Sequence, residues 1–452
     1  MRGLKSTLVL ALVLAGLAGY IYFVDADRPA GDDARETLFA VQADQITGIR
    51  LTAGGQTSVL EKSGDAWKMT APVATGADAT EVSSLTTNLA SIAVNRVVDE
   101  NAADLAQYGL ADPRITVAYT AGDQSGTVAI GDTSAAGSDV YARVGDSHRV
   151  VLLSSFLGTT FDKSPFDLRD KRVLAFERDK ADGLTIDAGG PEIRLARDGS
   201  AWTVEAPVEA RGDYGAIEGL LTRLSTTSMT SLVDDPADAA GDTYGLASPV
   251  ATITVSSGSS QAVLAVGKET DGKTYARDRS RDLLFTIDPS IVTDLTRDVS
   301  AYRDKDIFEF RPFNAEQVAI TRNGETVTLK KTPADGQGAA ESWTLERNGT
   351  AVALDQARAE DLLTKLANIR ADSFAETTAD TGLDAPDLVV AARYDGGKSE
   401  RARIARHAGA GFGAREGEPG AARVPIAAVD GAIAALDAAL APPPAEPAAA
   451  KP

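Results

Sequence analysis

Apolar and polar residues alternate along much of this chain, and the alternation stops and restarts on a regular beat. Alternating runs occur at Ile46, Ile49 and Leu51, at Leu184, Ile186, Ile193 and Leu195, and at Val318, Ile320, Val327 and Leu329. A period of two is the mark of a half-buried strand. Tight-turn pairs accompany each group, Gly54-Gly55, Gly189-Gly190 and Asn323-Gly324, and such pairs tolerate the positive φ of two-residue hairpin turns. A tryptophan follows each turn: Trp67, Trp202 and Trp343. The period then lengthens to that of a helix. Leu85 and Leu89 join Val82 and Ile92; Leu220 and Leu224 join Ile217 and Leu221; Leu362 and Leu366 join Leu363 and Ile369. Each set lines one helical face. Asp78, Asp213 and Asp355 stand where N-caps belong, and Asp78 with Glu81 has the spacing of a capping box.

A Gly-Leu turn and a proline come next, with the glycines at Gly109, Gly245 and Gly382, and a β-rich run follows each. The first two copies continue through Ile130-Gly131 and Val266-Gly267, then Tyr141-Ala142-Arg143 and Tyr275-Ala276-Arg277. They close on Arg169-Asp170-Lys171 and Arg303-Asp304-Lys305. Landmarks recurring in one order every ~135 residues indicate tandem modules. The pattern predicts a linker over 25–42, modules over 43–171, 172–305 and 306–440, and a disordered Pro/Ala tail over 441–452. The third module reads as degenerate. It carries an insertion, Thr332 to Ala340, and a Gly/Ala/Arg-rich stretch, Ala408 to Ala422, without a tyrosine strand. The expected fold class is α+β: three modules of mostly antiparallel sheet with amphipathic helices, behind a single N-terminal transmembrane helix. Each Trp is expected to fill the contact between helix and sheet, with ligand stacking as the alternative. Capping and inter-module ion pairs account for the Arg-Asp-Lys tripeptides, an anion site being the sharper alternative.

The transmembrane expectation comes from Thr7 to Val24, 18 positions without a charge, long enough to cross a bilayer as a helix. Arg2 and Lys5 precede it and Asp25, Asp27, Asp32 and Asp33 follow, so the positive-inside rule places the N-terminus in the cytoplasm and the bulk outside. That predicts a single-pass inner-membrane protein with a periplasmic body. A cleaved signal peptide competes, but its apolar core is shorter and lacks the interfacial aromatics Tyr20, Tyr22 and Phe23. Ala11, Ala15 and Gly19 fall on one helix face, where a second membrane helix could approach closely.

Composition narrows the chemistry. The 452 residues include 45 basic and 65 acidic ones, for a formal net charge of −20. Such a chain repels phosphate backbones, which disfavours nucleic acid as a partner. Without cysteine there are no disulfides, thiolate nucleophiles or Cys-ligated zinc. The two histidines, His148 and His407, occupy non-equivalent places and read as exposed loop residues. Gly409-Ala410-Gly411-Phe412-Gly413 lacks the third glycine at the required spacing and the strand–turn–helix setting of a dinucleotide loop. Asp99-Glu100 and Asp234-Asp235 are paired carboxylates, but catalytic pairs need burial and opposed environments. Solvated charge or weak cation binding fits them better. No catalytic, cofactor-binding or metal residues are expected.

The Gly-x-x-Trp motifs at Gly64 to Trp67 and Gly199 to Trp202, the Leu-x-Thr-x-Leu helices, Tyr-Gly-Leu-x-x-Pro and Leu-Arg-Asp-Lys resemble the bacterial envelope family DUF4340 over nearly the whole chain. That resemblance implies association with gliding-motility-type ABC-2 transport systems. The implied partners are a permease, an ATPase and a second periplasmic auxiliary protein. It implies no catalytic residues. The expected function is a non-enzymatic accessory protein acting through protein–protein contacts, with envelope-polymer (glycan) binding as the alternative.

Overall fold

The computed structural model describes residues 36–233, 242–332 and 341–442. They fall into two compact units, residues 1–171 and residues 172–452. The first holds one nine-stranded antiparallel sheet and the second holds two.

In the first unit the strands are β1 (Gly48–Ala53), β2 (Gln56–Ser63), β3 (Ala66–Ala71), β4 (Thr75–Gly76), β5 (Arg96–Asp99), β6 (Ile115–Ala121), β7 (Gln124–Thr133), β8 (Asp139–Val144) and β9 (Val150–Ser154). Their order across the sheet is β4-β3-β2-β1-β6-β7-β8-β9-β5. Two antiparallel meanders are thus joined through the β1–β6 pair, in which Ile49 faces Tyr119 and Leu51 faces Val117. Gly54 and Gly55 both have positive φ, 55° and 74°, which lets a two-residue turn return β1 into β2. Helix α1 (Ala79–Ser91) connects the meanders. Asp78 caps it by accepting from the amides of Thr80 and Glu81. The capping box is only half formed, because the Glu81 carboxylate is taken by Lys163 at 2.8 Å. Val82, Leu85 and Leu89 bury the inner face of α1 against Ile49, Leu51, Val117 and Ile130. Alternation puts Ala129 on the other side of the sheet, where it joins Leu110, Ala102 and Val150 in a smaller cluster. The six-residue helix α2 (Ser155–Thr160) follows β9.

Of the expected linker, the described residues 36–42 belong to this first module. Phe39 and Val41 are buried in its core, and the Phe39 ring meets Tyr119 edge-on at 5.1 Å.

The second unit repeats the plan twice. Its first sheet runs β10 (Gly183–Asp187), β11 (Ile193–Asp198), β12 (Ala201–Ala206), β13 (Ala210–Arg211), helix α3 (Tyr214–Thr226), β14 (Ser231–Leu232), β15 (Ala251–Ser257), β16 (Ser260–Thr270), β17 (Lys273–Asp278), β18 (Leu283–Ile287) and the short α4 (Ser290–Leu295). Its second sheet runs β19 (Ala315–Arg322), β20 (Glu325–Thr332), β21 (Ser342–Arg347), β22 (Thr350–Leu354), helix α5 (Gln356–Ala367), β23 (Ser373–Ala375), β24 (Leu388–Tyr394), β25 (Lys398–His407), β26 (Ala410–Arg415), β27 (Ala421–Val424) and α6 (Ile426–Leu440). Both sheets keep the strand order of the first. The Gly/Ala/Arg-rich stretch therefore supplies strands. Its small residues Ala414, Ala421 and Ala422 are buried, and α6 covers this end of the sheet with Val429, Ala432 and Leu436.

The Gly-Leu turns serve close approach. Gly109, Gly245 and Gly382 all have φ near +70°. A Cβ on Gly131 would lie 2.2 Å from the Tyr108 carbonyl oxygen, and one on Gly267 would lie 2.0 Å from that of Tyr244. Paired glycines in turn and strand are thus needed where the turn presses on the sheet. The ring of Tyr244 stacks on Tyr275 at 4.0 Å, and Tyr108 meets Tyr141 at 5.0 Å.

Two expectations are corrected. Sheets dominate each module, with few helices and with α2 and α4 only six residues long, so the balance of the expected α+β class shifts towards strands. Among the described residues no helix is long and apolar enough to cross a membrane. The longest, α6, has 15 residues and spans only ~22 Å against a ~30 Å hydrocarbon core; it also carries Asp430 and Asp437. The single-pass inner-membrane placement is corrected accordingly. Residues 7–24, with Ala11, Ala15 and Gly19, lie outside the described residues.

Leu85 is fully buried and Thr87 is exposed on the same helix. Leu85→Ala should lower unfolding free energy by about 3 kcal/mol. Thr87→Ala should change it by less than about 0.5 kcal/mol. Denaturant unfolding of the two variants checks the assignment of the buried face.

Candidate interaction site at the second and third modules

Residues 302–307 form a strap between the two modules of the second unit. On one side the Asp304 amide donates to the Arg211 carbonyl at 2.9 Å, and the Asp213 amide donates to the Tyr302 carbonyl at 2.7 Å. These bonds extend the edge of the second module's sheet beyond β13, with Gly212 bridging Arg303. On the other side the Ala371 amide donates to Lys305 at 2.7 Å, and the Ile307 amide donates to Ile369 at 3.0 Å. One short segment thus satisfies backbone groups of both modules.

A charge cluster closes around it. Arg211 donates through Nε to Glu418 at 2.7 Å and through Nη1 to Asp304 at 2.9 Å; its Nη2 donates to the Asp306 carbonyl. Arg415 reaches Glu400 at 2.6 Å and Glu309 at 3.2 Å. The Glu400 side chain is only 1% exposed, and it also accepts from the amides of Glu309 and Phe310. Tyr394 donates to Glu309 at 2.9 Å. The Arg303 guanidinium lies over the Phe374 ring at 3.9 Å, a cation–π contact strengthened by burial.

Titration follows from this packing. Burial pulls the Arg211 guanidinium down, but the charges of Asp304 and Glu418 prevail and hold it above its ordinary value. Burial lowers Arg303, and Glu418 opposes that fall. Burial pushes the Asp304 carboxyl up, offset in part by Arg211. For Glu309 burial would raise the carboxyl, yet the Tyr394 hydroxyl and the charges of Arg415 and Arg211 hold it below the usual range. Tyr394 is pushed up to about 12, by burial first and then by its bond to Glu309.

Arg303 and Asp304 come from the sequence motif, whereas Lys305 contributes its backbone. Arg211, Glu309, Glu400, Arg415 and Glu418 were not anticipated. Glu400 had a legible signal: it shares the buried parity of Ala402 and Ile404 on β25, so a carboxylate there demands a partner. The cavity beside the cluster is only about 20 Å³, and the charged groups are occupied with one another. The larger cavity, an open cleft of about 470 Å³, lies in the second module beside Phe176, Lys180, Ser257 and Gln261.

The remaining landmarks are dispersed. Trp202 and Trp343 are buried at 2% exposure, while Trp67 is half-buried beside the first core. The Trp202 indole donates to Glu218 at 3.0 Å. His148 is exposed, as expected of a loop, and its Nδ1 lies 2.8 Å from the Ala102 carbonyl. His407 is exposed at the end of β25. Glu100 pairs with Arg149 at 3.0 Å, and Asp99 accepts from the Asn101 amide. Asp234-Asp235 lies outside the described residues. Among the described residues no group of three or more His, Asp or Glu side chains could hold a metal ion.

Two slightly overlapping stretches, residues 67–205 and 202–386, match the family described as "Domain of unknown function (DUF4340)". The chain belongs to the DUF4340 family. The two matches begin at Trp67 and Trp202, so both start within a module's sheet; the first ends just past Trp202, whereas the second runs on past Trp343. Comparison with curated proteins gives no match. Among solved structures, a DNA polymerase sliding clamp from Pseudomonas aeruginosa is similar at 10% identity and a TM-score of 0.15, covering 84% of this chain and 91% of that one. The DNA polymerase III subunit beta from the same organism is similar at 12% and 0.15, covering 84% and 92%. Likeness at these scores carries no argument.

Glu400→Ala should cost about 3 kcal/mol or more, because it strands Arg415 and two amides in the interior. Glu400→Gln should cost less, since it keeps an acceptor for those amides. Denaturant unfolding distinguishes them. A second expectation concerns pH. The lowered Glu309 carboxyl contributes stability that is present above its ordinary value of 4.5 and lost as pH falls through its folded value. The melting-temperature gap between the native chain and Glu309→Gln should therefore close between pH 6 and the acid end of the titration. A gap that widens on acidification would contradict this assignment.

Proposed function

We propose that this DUF4340 protein is a non-catalytic accessory subunit that works through protein–protein contacts of its repeated modules. The partners are an ABC-2 permease, its ATPase and a second auxiliary protein of a gliding-motility-type transport system. The observation that carries the reading is the use of polar chemistry. The principal charge cluster joins one module to the next through Arg211 and Glu418, braced within the third module by Arg415 and the buried Glu400. Within the second unit this stitch holds two sheets at fixed spacing, as suits a protein that positions others. Phe156 and Phe313, 62% and 78% exposed, are apolar side chains of the kind that anchor interfaces. The family resemblance supplies the transport system.

Affinity purification of the tagged full chain in mild detergent tests the proposal. Recovery of a permease and an ATPase in stoichiometric amounts is expected, with recovery reduced by Phe313→Asp. Binding to purified cell-wall polymer with no transport component recovered would overturn it.

A further inference from the structure

The outer face of the third module's sheet carries a pair of arginines that its fold does not require. The strands that follow the Gly-Leu turns begin at Ile115, Ala251 and Leu388, and these pair with Ile130, Val266 and Ile404. One residue before those partners stand Ala129, Ala265 and Arg403, and three before stand Thr127, Val263 and Arg401. Ala129 and Ala265 are buried, packed with Leu110 and Leu246 of their turns. In the third module the turn residue Leu383 packs instead on Ala405, Ala414 and Ala421, and Arg403 donates to the Leu383 carbonyl at 3.1 Å. The same register is thus built twice with neutral residues and once with two guanidiniums.

Arg401 and Arg403 alternate along β25, so they stand on one face with Cα atoms about 7 Å apart. Both are exposed. Arg393 of β24 adds positive charge to that face, because the Ala391–Arg401 and Arg393–Ser399 pairs share it. Glu416 stands across from Arg401, its amide donating to the Arg401 carbonyl at 2.8 Å. Arg401, Arg403 and Glu416, with Ala402 and Ala414, line an open cleft of about 190 Å³. Among the described residues neither arginine of the cleft forms an ion pair, nor does Glu416. In a chain of net charge −20, neighbouring guanidiniums without a carboxylate point to an anion supplied from outside.

The lining narrows that anion. A carboxylate presents one planar edge, which a single guanidinium fork fills, whereas a phosphate presents oxygens on several sides that two forks grip at once. Glu416 repels a second negative group and accepts from a donor, so it selects a ligand carrying an ammonium or hydroxyl beside the phosphate. We infer that this cleft binds a phosphate ester with such a neighbouring donor, Arg401 and Arg403 holding the phosphate and Glu416 the donor. A free ester and a lipid headgroup share this chemistry. The site is independent of the transport reading and needs no protein partner.

Calorimetric titration of the full chain in mild detergent with phosphoethanolamine, which carries an ammonium beside its phosphate, tests the inference. Saturable binding is expected, weakened about tenfold or more by Arg403→Ala. Arg403→Lys should weaken it as well, because the fork is lost while the charge stays. Arg401→Ala serves the same end should Arg403→Ala disturb the Leu383 turn, and melting temperature checks that each variant is folded. Glu416→Gln should weaken phosphoethanolamine yet strengthen inorganic phosphate, a reversal that a merely structural role would not give. Arg50→Ala, an equal loss of charge on the first module, should leave binding unchanged. Short-chain phosphatidylethanolamine below its micelle concentration separates the sources: tighter binding than phosphoethanolamine supports the site as one for a lipid headgroup, and weaker binding supports it as one for a free ester. Absence of saturable binding to both ligands would overturn the inference. So would an equal loss in Arg50→Ala, since binding would then follow overall charge.

Discussion

A guanidinium removed from water must be met by carboxylates and carbonyls, and the second unit is organised around that requirement. Arg211 sits at the last residue of a two-residue edge strand, where its side chain reaches Asp304 and the Asp306 carbonyl on the strap. It also reaches Glu418, from the loop between β26 and β27 of the next module. Desolvating these ions is expensive, and only complete mutual satisfaction offsets it. The modules are therefore held in one register, because any slip would strand a charge. Specificity of the joint comes from this constraint more than from net stability.

The same requirement explains which features repeat. A strap must present backbone to two sheets, and in the second module the residue it bridges, Gly212, is pressed against its own helix and sheet. At Gly212 a Cβ would fall 2.9 Å from Trp202 and 2.8 Å from Ile217. Where the sheet instead receives a Gly-Leu turn, Gly131 and Gly267 remove their side chains to admit a carbonyl. In the third module Ala405 takes that position, and the turn glycine Gly382 stands farther off, its nearest neighbour being the Cβ of His407 at 3.2 Å.

Much of this was legible beforehand because period and turn chemistry are local. The hairpin pairs Gly54-Gly55 and Asn323-Gly324, the N-caps Asp78, Asp213 and Asp355 and the buried helical stripes were readable from spacing, whereas Gly189-Gly190 falls in a five-residue loop between β10 and β11. The nine-strand sheets were less so. Strands of two residues, such as β4 and β13, are too short to show alternation, and β26 and β27 of the third module are rich in Ala, Gly and Arg. The junction was half legible. Arg303 and Asp304 stood in a repeated motif, but Arg211, Arg415 and Glu418 become neighbours only through tertiary pairing between segments some 200 residues apart in the chain. The expected membrane helix rested on hydropathy of residues 7–24, and no described helix is of that kind.

Backbone hydrogen exchange along the strap tests most directly whether it joins the two modules. The amides of Asp304, Asp213, Ile307 and Ala371 report its two sides separately. All four should be protected to the level of the central strands β15 and β24, and Arg211→Met should lower them together. If the Asp304 amide exchanged like a surface loop, or if Arg211→Met released the second module's side while leaving Ile307 and Ala371 unchanged, the strap would not couple the modules and this account of the joint would be wrong.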